Sequence, residues 1–344
     1  MTMPIDLTRL RSNDDLPILP SIAALPKVDL HVHAEAGPRL DRIINRESAI
    51  DWRSWIDTTM ASIGPGYKRL EAMARVQIDT SIENDPVLLE ERIFDLMFES
   101  AVEGSIYGEF RFGAGTLENK HFLDAFRRAE RRTATQFPNF AAEAVATVLV
   151  NPDRTTADRV FELCLESRTT SIVGIDIIPT PYIQEADWSC LRSWCERFAN
   201  ADLGITVHAG EFSEANLESA IDTPGVSRIG HAVHARNRND LIGKVVDRNI
   251  TLEMCISSNV VPGAISGYNE HPIMRFYGNG ALLALGSDDP VRMRTNIGRE
   301  YQLASYHGLS DAQLLDLTLR SIRSSFAPDA RKRKLIEFVN AARA

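Results

Sequence analysis

Eight short apolar runs constrain this chain more than any other feature. They are KVDLHVH (27–33), IYGEFRF (106–112), AVATVLV (144–150), SIVGIDII (171–178), LGITVHAG (203–210), SRIGHAV (227–233), NITLEMCI (249–256) and ALLALGS (281–287). Runs of this length, apolar on consecutive residues, suit strands buried on both faces of a parallel sheet. Between them, apolar residues recur at three- and four-residue spacing over 87–105, 121–137, 158–169, 188–201 and 240–249, which predicts amphipathic helices. Eight strands alternating with helices predict an α/β fold, a (β/α)8 TIM barrel. An open doubly wound sheet would place a glycine-rich phosphate loop after its first strand. Here that strand runs into His33-Ala34-Glu35-Ala36.

Two stretches exceed the rhythm. Residues 34–86 are too long for a strand-to-helix connection and predict a helical insertion over the barrel mouth. Its Trp52, Trp55 and Tyr67 are candidates for ring stacking, or for a local core. Beyond Leu309 the pattern predicts C-terminal helices, with the DARKRK run (329–334) on a solvated face.

Composition narrows the function classes. Lys and Arg number 38 against 47 Asp and Glu, a formal net charge of −9. This disfavours a broad nucleic-acid surface, which needs clustered cations. The start lacks an apolar leader and no run of about 18 apolar residues occurs, so no membrane span is expected. Cys164, Cys190, Cys195 and Cys255 form no C-x-x-C pair, as in a reduced, cytoplasmic protein.

The histidines carry the chemistry. His31, His33, His208 and His231 each fall at the end of a predicted strand. His31 and His33 share a face, because strand side chains alternate. His208 ends the fifth run and Asp288 follows the eighth. Three imidazoles and a carboxylate suit a divalent metal, zinc first, and leave a position for a water. Glu211, three residues after His208, is placed to shuttle a proton. His231 is a further ligand or the residue that orients and deprotonates the water. His234 reads as a structural hydrogen-bonding residue. Asp289 is placed to accept a hydrogen bond from a substrate N–H, in a turn stiffened by Pro290. Ligands from runs one, five and eight must converge on one metal, so residues 27–290 are expected to form one domain; with the extra length spent on the insertion and the helical tail, residues 1–344 are expected to be a single barrel domain.

Taken together, KVDLHVH, ITVHAGE, RIGHAVH, SSN (257–259) followed by EHPI (270–273), and GSDDP resemble the signature blocks of the adenosine deaminase family within the amidohydrolase superfamily. The blocks occur in the family's order from residue 27 to residue 290. The resemblance implies a TIM barrel with one zinc held by His31, His33, His208 and Asp288. It implies Glu211 as proton donor to a ring nitrogen, His231 as the residue that positions and activates the water, and Asp289 as a helper. Hydrolytic deamination of an adenosine- or adenine-like base would follow, with water as co-substrate and ammonia as product. Glu35, Asp176, Gly210 and Asp289 would meet the substrate. Ser258 and Asn259 match a block that shapes the site.

Two departures bear on the substrate. Where the family has a D-L-A-G turn, whose glycine N–H contacts the purine, this chain has Asp176-Ile177-Ile178-Pro179, and proline has no N–H. Where the family has H-L-D-G, it has His33-Ala34-Glu35-Ala36. The alternatives are therefore another aminated heterocycle (a pterin, a guanine-type base, a modified adenosine or AMP), or another amidohydrolase reaction such as cyclic amide hydrolysis. The absence of a lysine at the end of the fourth run favours the mononuclear deaminase. Arg39, Arg42, Arg292 and Arg294 lie near mouth loops and read as ordinary surface arginines. A homo-oligomer is compatible with the sequence; a nucleic-acid or membrane partner is not expected.

Overall fold

A computed structural model describes residues 17–34, 42, 45, 51–74, 84–150, 155–166 and 172–343. Eight strands form one parallel sheet in sequential order: β1 (Lys27–His33), β2 (Ser105–Phe112), β3 (Ala141–Val150), β4 (Ile172–Pro179), β5 (Gly204–Ala209), β6 (Val226–His231), β7 (Thr251–Met254) and β8 (Leu282–Leu285). The sheet curls until β1 meets the chain after β8 through a parallel bridge between Val32 and Asp288. Two hydrogen bonds close this seam: Asp288 N–H donates to the His31 carbonyl at 2.6 Å, and His33 N–H to the Asp288 carbonyl at 2.8 Å. The TIM barrel expected from the alternating runs is the observed fold.

Each strand overlaps the run that predicted it. β7 and β8 are shorter than their runs, because Ile256 already begins a short helix and the chain after Leu285 turns toward the seam. Gly286 is required there: a Cβ would lie 2.4 Å from His31 Cβ and 2.9 Å from the His31 carbonyl oxygen.

The apolar core lies between sheet and helices. Phe112 on β2 packs edge-on against Phe122, at 4.8 Å between centroids, and near Phe126, both on the helix Phe122–Gln136. The insertion after β1 contains helices Trp52–Ser62 and Tyr67–Ala74. Trp55, Met60, Leu70 and Val261 pack there against buried Met73 and Met293, so Trp55 belongs to a local core. The Trp52 side chain lies outside the described residues. Two C-terminal helices, Asp311–Ser324 and Asp329–Arg343, follow. The DARKRK run is not wholly solvated: Arg331 ion-pairs with Glu130 at 2.6 Å and Glu143 at 3.2 Å. Among the described residues, no helix is long and apolar enough to cross a membrane. Cys164, Cys195 and Cys255 are buried free thiols.

Candidate active site

The C-terminal ends of the strands bring four donor atoms together. His31 Nε2 lies 3.1 Å from His208 Nε2 and 3.6 Å from Asp288 Oδ1. His33 Nε2 lies 3.3 Å from His208 Nε2 and 3.5 Å from Asp288 Oδ1. Four donors on a tetrahedron with bonds of about 2.0–2.1 Å sit about 3.3 Å apart, so the separations fit a small divalent ion. Protonation supports the same conclusion. His31 Nδ1 donates to Glu253 Oε2 at 2.7 Å, and His208 Nδ1 to Asp176 Oδ1 at 2.8 Å. In neutral rings both Nε2 atoms are then bare, and two lone pairs 3.1 Å apart repel unless a metal ion or a proton lies between them; burial opposes a charge on His208, but the Asp176 carboxylate outweighs it and raises the His208 pKa. Burial, and then the neighbouring His208, hold His33 near a pKa of about 3, so it too presents a lone pair.

Beneath these four residues runs a buried network of charge. Arg111, on β2, sends Nε to Asp176 Oδ2 at 2.8 Å and Nη2 to Glu253 Oε2 at 2.6 Å. Glu253 Oε1 also accepts from Thr206 at 3.1 Å and faces Arg228 Nε at 2.8 Å. Arg228 continues to Glu109 at 2.6 Å, and its guanidinium lies 3.6 Å from the Phe326 ring centroid at the opposite end of the barrel. Sequence reasoning missed Arg111 and Glu253. Their signal was a charge inside an apolar strand run, which must find a partner when buried.

Asp176 is where the structure corrects the sequence reading. It was expected to face the substrate, but β4 extends to Pro179 and leaves Asp176 buried in the strand. One oxygen is taken by His208 and the other by Arg111, so it does not line the pocket. Glu35 lies outside the described residues. Gly210 does not line the pocket either: its φ of +73° turns the chain after β5, and its carbonyl accepts the His234 N–H at 2.8 Å. The His234 ring is half-buried and bonds to the Ala264 backbone.

Glu211, His231 and Asp289 do line the pocket, with His33, His208 and Asp288 of the candidate ligands. His231 and Asp288 hold left-handed backbones, φ +68° and +57°. Such conformations cost energy in residues with a Cβ and persist where the surroundings over-determine them, often at functional sites. Burial, and then the Asp288 charge, push the Glu211 carboxyl up to about 8. The Tyr182 hydroxyl donates to Glu211 Oε2 at 2.6 Å. Tyr182 was also missed; it follows the Pro179 stretch in a loop with no periodic signal. Its ring packs against Tyr67, from the insertion, at 5.6 Å between centroids.

The pocket holds about 280 Å³. Leu70, Ala74, Leu149 and Ile178 give it an apolar wall, and Glu71, Asp289 and Arg292 a charged one. Arg292 contacts both Asp289 oxygens at 3.1 Å. Arg42 ion-pairs with Glu91 and Asp95, and Arg294 with Asp57. Arg39 lies outside the described residues.

Comparisons with known proteins agree with this architecture. An adenine deaminase from Rhizobium johnstonii is 26% identical over 330 residues, covering 91% of this chain and 98% of that protein. The crystal structure of the Arabidopsis N6-mAMP deaminase superposes with a TM-score of 0.79 at 21% identity, covering 94% of this chain and all of that one. A Burkholderia ambifaria amidohydrolase, solved with bound Zn, gives 0.74 at 19% identity with 96% of each chain covered. At these identities the two structures show a shared fold. The sequence model of the adenosine deaminase family matches residues 75–342. That match spans most of the barrel and both C-terminal helices, and on it the chain belongs to the adenosine deaminase family, hydrolases of C–N bonds in cyclic amidines.

Proposed function

We propose that the protein is a zinc-dependent aminohydrolase that replaces the exocyclic amino group of a purine-type ring with oxygen and releases ammonia. The observation that carries this reading is the convergence of three imidazole nitrogens and Asp288 at 3.1–3.6 Å, with a buried Glu211 facing the same pocket. His31, His33, His208 and Asp288 would hold the ion. Zinc there would supply a water acidic enough to attack at neutral pH.

The chain's own residues do the rest. Glu211, protonated near neutrality, gives its proton to the ring nitrogen beside the attacked carbon, which makes that carbon electrophilic. Tyr182 occupies Oε2 and leaves Oε1 to carry the proton. His231 orients the attacking water through Nε2. Asp289 accepts a hydrogen bond from the substrate. The amino group takes up the proton that the attacking water gives up and leaves as ammonia, which completes the exchange.

The pocket favours a base or nucleoside over a nucleotide. Glu71, Glu211, Asp288 and Asp289 line it, and Arg292, the arginine among its described lining residues, already faces Asp289. Among the described lining residues a phosphate would find only Arg292 as a cationic side chain, and Asp289 already engages it.

Ammonia release from adenine, adenosine, AMP, N6-methylated purines, guanine and pterins tests the proposal. Turnover of adenine, adenosine or an N6-substituted relative, with AMP slower, is expected. Failure on every purine rejects it. Tyr182→Phe should lower kcat/KM about tenfold, the value of a hydrogen bond to an ionisable carboxyl, with the melting temperature nearly unchanged. Unchanged kinetics would show that Tyr182 does not orient Glu211.

A further inference from the structure

His231 presents Nε2 to the pocket, 3.8 Å from Glu211 Oε2 and 3.9 Å from Asp288 Oδ2. Its other nitrogen, Nδ1, lies 3.0 Å from the Asn259 side-chain amide. The far side of that amide, Oδ1, lies 3.2 Å from His271 Nε2. The three side chains form a buried row leading away from the pocket: His231 is 1% exposed, Asn259 0% and His271 5%. Burial holds His271 well below its usual pKa, so its ring carries one proton.

The row admits two proton arrangements. In the first, His271 Nε2–H donates to Asn259 Oδ1, Asn259 Nδ2–H donates to His231 Nδ1, and the His231 proton sits on Nε2. In the second, the amide is turned over, His231 donates from Nδ1, and His271 must carry its proton on its own Nδ1. His271 Nδ1 is buried and has no hydrogen-bond partner. A buried N–H without an acceptor is rarer than a buried acceptor without a donor, which selects the first arrangement.

We infer that Asn259, held by His271, fixes His231 as the Nε2–H tautomer, so that His231 faces the reacting water as a hydrogen-bond donor and offers it no lone pair. Asn259 and His271 are positioning residues that act through His231. This gives a purpose to Asn259, in the SSN block that sequence reasoning credited only with shaping the site, and to His271 in the EHPI block. The catalytic consequence rests on the deaminase reading above; the tautomer does not.

Nitrogen–proton correlation spectra of zinc-loaded protein labelled with 15N at histidine test the inference. The His231 signals are assigned by their loss in His231→Gln. A protonated, pyrrole-type Nε2 and a bare, pyridine-type Nδ1 are expected in the wild type. Asn259→Asp presents only acceptor oxygens to His231, so Nδ1 should gain a proton and kcat/KM should fall roughly 10²-fold, the scale for a misplaced transition-state donor. A wild-type His231 protonated at Nδ1 overturns the inference, as does an unaltered pattern in Asn259→Asp. The wild-type spectrum decides the question even where the variant does not fold. An Nδ1–H tautomer in an active deaminase would leave the proposed function standing. An Nε2–H tautomer in protein that releases no ammonia would do the reverse.

Discussion

Glu211→Gln is expected to lower kcat/KM about 10²- to 10⁴-fold, the range for removal of a positioned general acid. Glutamine fits the same space and can still accept from Tyr182, but it has no carboxyl proton to give. The size of the effect follows from the surroundings of Glu211. It is buried, it faces the charge of Asp288, and its carboxyl is pushed up to about 8, so the acid form prevails at neutral pH. A carboxyl on an open loop would be ionised there and would donate poorly. Glu211 is not among the four converging ligands, so metal content and melting temperature should stay near wild type. Substrate KM should change less than kcat, because the proton is needed most in the transition state. Steady-state ammonia release with metal analysis of the same sample checks this. Full activity in the variant would remove Glu211 from the mechanism.

Arg111→Met is expected to have the largest effect on stability. Its guanidinium joins the two carboxylates that accept protons from His208 and His31. Glu253 keeps Arg228 in the variant, but Asp176 loses its arginine. Breaking a buried ion pair by removing one partner costs about 3–5 kcal/mol, or a fall in Tm on the order of 5–10 °C for a chain of this size. Zinc affinity should also drop about 10- to 100-fold, because the carboxylates that orient His31 and His208 lose their own anchor. Lysine is not an adequate replacement, since a point charge cannot serve both carboxylates in fixed directions. Thermal melts and zinc competition with a chelator read the two effects separately. Unchanged values for both would mean that Asp176 and Glu253 do not depend on Arg111.

The barrel was legible in the sequence because strands buried on both faces appear as continuous apolar runs, and the intervening helices keep their spacing. His31, His33, His208 and Asp288 were legible as a group because each is a metal-binding residue type at or just beyond a strand end. Asp176 was misread because, two residues from the end of the 171–178 run, a carboxylate can face pocket or core. Arg111 and Glu253 left a readable sign, but their pairing across the barrel depends on closure of all eight strands. Tyr182 left none, and His271 only its place in the EHPI block. They lie in irregular segments, and their partners, Glu211 and Asn259, are set by tertiary packing.

The central claim is that the ion held by His31, His33, His208 and Asp288 is required for deamination. Zinc titration of chelator-stripped protein, followed by ammonia release from a substrate identified in the purine screen, tests it most directly. Activity should rise from near zero and reach a plateau at about one zinc per chain, as a single four-ligand site requires. Full ammonia release from the stripped protein before any zinc is added would contradict it.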